Sequence, residues 1–174
     1  MAEARRRHLR IGLECLAYGL VILLIAVILE KVAVRGASGA DEWPMLDDAL
    51  ARKDFMIRGA QYMIDAIDVL IATAGGLIAG IAYVFTRALG RDTVVSAATL
   101  RLLIFFLSFA ISTIYLGVAG QIFLARKTIE ATLVAGDAYL FVTFQAGFLL
   151  LAAIFAGVVL YRLLRAGDEG AARI

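Results

Sequence analysis

The stretch LLIFFLSFAISTIYLGVAGQIFLA, Leu102 to Ala125, contains no charged residue. Its roughly 24 residues make about 36 Å of helix at 1.5 Å per residue. The hydrocarbon layer of a bilayer is about 30 Å thick, so the stretch can cross it with some tilt. It does not alternate as an outer-membrane strand would. Ala138 to Tyr161 repeats the pattern, again without a charge. Two further runs qualify: Ile11 to about Leu29, with the single acid Glu14, and Val69 to Thr86, which begins earlier near Ala60. The chain thus reads as one membrane domain, 1–174, with spans at about 11–30, 60–86, 102–125 and 138–161.

Composition agrees. Of 174 residues 63% are hydrophobic and 18% charged. An ordinary soluble domain is about 45–50% apolar and 25% charged, so this one is too apolar for a soluble globule. One Pro and one Cys exclude a collagen-like chain and a disulfide scaffold. A net charge of +2 with high apolar content excludes disorder. The pI near 8.8 comes from basic residues at span ends, and no nucleic-acid partner is implied.

Orientation follows from Lys and Arg in the loops. Arg5, Arg6, Arg7, Arg10, Arg87, Arg91, Arg101, Arg162, Arg165 and Arg173 fall on one side. The other side has fewer bases and most of the acids, including Glu30, Asp41, Glu42, Asp47, Asp48, Asp54, Glu130 and Asp137. Both termini are therefore expected in the cytoplasm of a bacterial inner membrane. The arginines before span one, with Ser38-Gly39-Ala40 behind it, have the look of a secretory leader. The segment is nevertheless expected to be kept as a span.

Between spans one and two, Gly36 to Gly39 forms a break. Asp41 to Arg58 reads as a short amphipathic helix outside the bilayer, with Pro44 in its first turn. Asp48–Arg52 and Asp54–Arg58 are favourable i,i+4 pairs. Trp43, Leu46 and Leu50 share a side that either lies on the membrane surface or caps a plain hairpin. The connections after spans two and three are short, which makes successive helices antiparallel neighbours. The expected fold is an all-α four-helix transmembrane bundle.

Asp65 and Asp68 lie three apart on one helix face. Gln61, Ala72, Gly75 and Ala79 extend that face. A carboxylate in hydrocarbon is costly unless paired or hydrated. The acids are therefore either an ion or proton site in an outer vestibule, or groups solvated at the headgroup level. Gly76 and Gly80 form a GxxxG element, and with Ala72 and Gly75 they make a flat helix-packing or oligomer face. Ala153 and Gly157 repeat the small-xxx-small spacing. Glu14 can pair with Arg10 at i,i+4. Tyr115 and Gln145 are both roughly mid-membrane and could meet across a helix pair. Ser and Thr in the spans are expected to bond their own backbone.

Absences narrow the chemistry. His8 is the only histidine, so a bis-histidine haem within the bilayer is excluded. One His and one Cys make a zinc site improbable. No membrane Ser–His pair or phosphate-binding glycine loop is present. No catalytic residue, metal or cofactor is expected, and the chain reads as a non-enzyme.

Thr99-Leu100-Arg101 followed by Ala110-Ile111-Ser112-Thr113-Ile114 resembles the third span of the YqhA-like family of bacterial inner-membrane proteins. Asp68 with Gly75-Gly76-Leu77, and Gly157 with Arg162-Leu163, are similar to that family's second and fourth spans. The sequence departs from the pattern at Tyr115 and Gln145, where a His would stand. The resemblance implies four spans and no particular activity. Two functions fit the residues. One is a homo-oligomeric channel or transport protein. The other is a non-conducting accessory subunit of another membrane complex.

Overall fold

A computed structural model describes residues 2–36, 49–89, 96–129 and 139–171. These form four helices: α1 (Ala2–Gly36), α2 (Ala49–Leu89), α3 (Ala97–Ile129) and α4 (Tyr139–Ala171). No strand occurs among the described residues. All four helices are long and apolar enough to cross a membrane, with apolar segments Ala17–Val34, Met56–Arg87, Ala97–Ile129 and Tyr139–Arg165. The chain is thus an all-helical, multi-pass membrane protein.

The helices overrun the expected spans. α2 is unbroken over 41 residues, so residues 49–58 of the expected surface helix are its first turns. Trp43, Pro44, Leu46 and the rest of 37–48 lie outside the described residues, as do the side chains of Arg10, Glu14 and Cys15. α3 starts at a cap that composition did not announce. The Thr99 amide donates to Ser96 Oγ at 3.2 Å, and the Leu100 amide to Ser96 O at 3.1 Å. Ser96 Oγ thereby satisfies an amide that has no intrahelical partner, while Ser96 O accepts the first bond of the helix.

α3 is the hub. It packs on α1, α2 and α4, and α2 also packs along α4. Among the described residues α1 and α2 do not touch. The two short connections do join packed neighbours, α2 to α3 and α3 to α4.

Glycine sets the close approaches. A Cβ on Gly117 would lie 2.5 Å from Gln145 Nε2 and 2.7 Å from Ile71 Cγ1. One on Gly120 would lie 3.2 Å from both Ile67 and Phe141. One on Gly19 would lie 3.0 Å from Ser108 Oγ. These glycines let α3 approach α2 and α4 on one side and α1 on the other. By contrast, nothing lies within 4 Å of a Cβ on Gly75, Gly76, Gly80, Gly147 or Gly157. Among the described residues, Gly76 and Gly80 of α2 point outward and meet no other helix.

Large side chains fill what remains. Phe109 stacks on Phe155 at 5.5 Å, Phe105 stacks on Phe155 at 5.6 Å, and Phe109 meets Phe148 at 5.7 Å. Ile81, Phe106, Ala110, Ala152 and Val159 form the largest buried cluster. As expected, hydroxyls bond their own helix: Thr73 to Val69 O at 2.7 Å, Thr113 to Phe109 O at 3.0 Å and Thr128 to Leu124 O at 2.8 Å.

Gly117→Ala should lower stability by about 1–3 kcal/mol, the cost of overpacking a tight contact. Gly76→Ala should leave the stability of an isolated copy unchanged or slightly raised. Thermal unfolding of both variants in the same detergent checks the contrast, and equal shifts would refute this packing.

Candidate functional site

The cross-helix contacts fix a common scale of depth. Ile71 lies beside Gly117, and Gly117 beside Gln145. Carried about 16 residues along α2, α3 and α4, these contacts bring Arg87, Arg101 and Arg162 to nearly one level. The Gly19–Ser108 contact puts the start of α1's apolar run, near residue 12, at the same level. About 20 residues further, or 30 Å at 1.5 Å per residue, is the far edge of a hydrocarbon layer. That level holds Glu30 and Lys31 on α1, Asp68 on α2, Gln121 on α3 and the start of α4. One end of the bundle is therefore an arginine level and the other a layer of acids and amides.

Within that layer the structure makes two bonds. Gln121 Nε2 donates to Asp68 Oδ1 at 2.6 Å, tying α3 to α2. The Tyr115 hydroxyl donates to Glu30 Oε2, tying α3 to α1. Glu30 also lies 3.6 Å from Lys31 Nζ. Tyr115 is about four turns along α3 from Arg101, and its long side chain reaches on toward Glu30. Both bonds are exposed on the bundle surface.

Asp65 and Gln61 share the outward flank with Asp68 and are exposed. Their positions lie about one and two turns beyond Asp68, away from the arginine level. Ala72, Gly75, Gly76, Ala79 and Gly80 continue the exposed face in the other direction. Gln61, Asp65, Asp68, Ala72, Gly75 and Ala79 are each exposed on α2. No three of the described His, Cys, Asp and Glu side chains converge closely enough to hold a metal ion.

Tyr115 and Gln145 do not meet. Tyr115 faces α1, whereas Gln145 points to the opposite side of α3. Gln145 is fully buried, and its Nε2 donates to Ile67 O on α2 at 3.3 Å. Gly117 leaves the room for that amide to pass α3. Gln145 Oε1 and the Ser112 hydroxyl are buried without a hydrogen-bond partner among the described residues. Two features escaped sequence reading. Glu30 was only one of several loop acids, and Gly117 and Gly120 were only small residues in a span. A polar residue one hydrocarbon thickness from a basic one is the signal that marks Glu30, Asp68 and Gln121 together.

A scan against family models and searches of curated proteins and of solved structures find no match to this chain.

Asp68→Ala and Gln121→Ala should show a coupling of about 0.6 kcal/mol, the usual size for a polar bond between membrane helices. Tyr115→Phe should cost about as much. A double-mutant cycle in unfolding free energy measures the coupling, and a value near zero would mean the bond does not form.

Proposed function

We propose that this chain is a homo-oligomeric protein of a bacterial inner membrane, with both termini in the cytoplasm, and that its copies associate through the outward small-residue face of α2. The carrying observation is the open space at Gly75, Gly76 and Gly80. Helices gain nothing in lipid from apolar burial alone, and small residues serve them chiefly by admitting another backbone. Inside the bundle that work is done by Gly19, Gly117 and Gly120, so the α2 face is left for a second copy. The outward small residues Ala153 and Gly157 of α4 offer a further surface of the same kind.

The interior of one copy is filled by side chains such as Phe106, Leu116, Phe141 and Val159. An ion pathway would therefore run between copies, along Gln61, Asp65, Asp68, Ala72, Gly75 and Ala79. Its entrance would be acidic and its wall narrow-sided and small. The role is non-enzymatic and uses no cofactor. The resemblance to the YqhA-like family supports the four-span topology in this reading.

Native mass spectrometry of the complex extracted in native lipid should give a single homo-oligomer of at least four copies. A monomer, or a complex with a second protein, would overturn the proposal in favour of an accessory subunit. Gly76→Leu should weaken self-association about 5- to 150-fold, the equivalent of an overpacking penalty of about 1–3 kcal/mol, while leaving the fold intact. In liposomes, Asp65→Asn with Asp68→Asn should alter cation flux. Unchanged flux in a conducting preparation would remove the pathway and leave the assembly.

A further inference from the structure

On the side of the bundle away from α2, the contact between α1 and α3 leaves a cleft of about 270 Å³. Gly19 and Ser108 form its floor, and Leu20, Leu23, Ile104 and Ile111 are among its walls. It exists because the two floor residues are small. The Ser108 hydroxyl donates to Ile104 O at 2.9 Å, so the one polar side chain in the lining is engaged within its own helix. A volume of this size could hold several waters, yet the walls offer them no polar partners, and apolar cavities stay dry. Leu20 is 63% exposed and Ile111 47%, so the cleft opens toward the surrounding hydrocarbon.

Depth narrows the occupant. Ile104 to Ile111 lie about three to ten residues from Arg101, or roughly 4.5–15 Å at 1.5 Å per residue. Half of the hydrocarbon layer is about 15 Å. The cleft therefore spans the leaflet on the arginine side and stops near the midplane, the depth one acyl chain occupies. At the headgroup level above it stands Arg101 of α3, and the sequence leading into the apolar run of α1 is rich in arginine. Clusters of Lys and Arg next to a membrane span favour anionic headgroups.

We propose that the α1–α3 cleft is a binding site for one anionic phospholipid, its acyl chain lying between Gly19 and Ile111 and its headgroup at the level of Arg101. The site lies across the bundle from the α2 face, so it stands whether or not the copies associate.

The full chain is reconstituted in vesicles of equal anionic phosphatidylglycerol and zwitterionic phosphatidylethanolamine. It is then extracted in mild detergent and weighed by native mass spectrometry as lipid is stripped. The expected result is one phosphatidylglycerol per copy that outlasts all other lipid. Ile111→Phe, or Leu20→Phe if the first fails to fold, should reduce its retention about tenfold, as loss of about two buried methylenes would. Leu150→Phe, on an exposed face of α4, should leave retention unchanged. Arg101→Gln should keep a bound lipid but weaken the anionic preference. Equal retention in the cleft-filling variants and the wild type, or no anionic preference in the wild type, would overturn the proposal.

Discussion

In hydrocarbon a leucine gains little by leaving lipid for a neighbouring helix, so these helices must be joined by close packing and by hydrogen bonds. Everything in the bundle follows from how α3 meets that demand. Gly117 and Gly120 thin one side of it, where Ile67, Ile71, Phe141 and Gln145 move in. Its other side bears Ser108 and Tyr115, which receive Gly19 and Glu30 of α1. Because α3 occupies the middle, α1 and α2 are held apart although they are consecutive in the chain.

The helical, four-span architecture was readable because it depends on runs of apolar residues long enough to cross a bilayer, and composition alone reveals those. Which faces pair was not readable. Gly76 and Gly80 look in sequence like a better packing motif than Gly117 and Gly120, yet only the latter pair packs within the chain. The difference arises from neighbours in three dimensions. Gly117 faces a long amide and a branched side chain that need room, whereas Gly76 faces outward. The candidate site divides in the same way. That Asp65 and Asp68 share a face followed from helical periodicity. That Gln121 is the partner of Asp68, and that Glu30 rather than Gln145 is the partner of Tyr115, required the register between helices.

The polar layer and the outward α2 face are separate in physical character but continuous in space. Asp68 stands at their junction, bonded to Gln121 on one side and bordering the small residues on the other. A copy docked on the small face would bring its own Asp68 to a similar depth. The Asp68–Gln121 bond offsets part of the cost of a carboxylate at that depth, and it fixes the direction in which the acid can lean.

α2 continues without interruption from the small-residue face to Ala49, about 19 residues past Asp68. At 1.5 Å per residue the projecting arm is roughly 28 Å long, nearly the thickness of the hydrocarbon. The arm is braced at its base, because Ala60, two turns beyond Asp68, is buried in a cluster with Leu124 of α3. With Ile67, Ala74 and Ile81 also buried on the same helix, α2 has no single pivot and stands as a fixed mast. Its first turns are thereby held well clear of the bilayer surface.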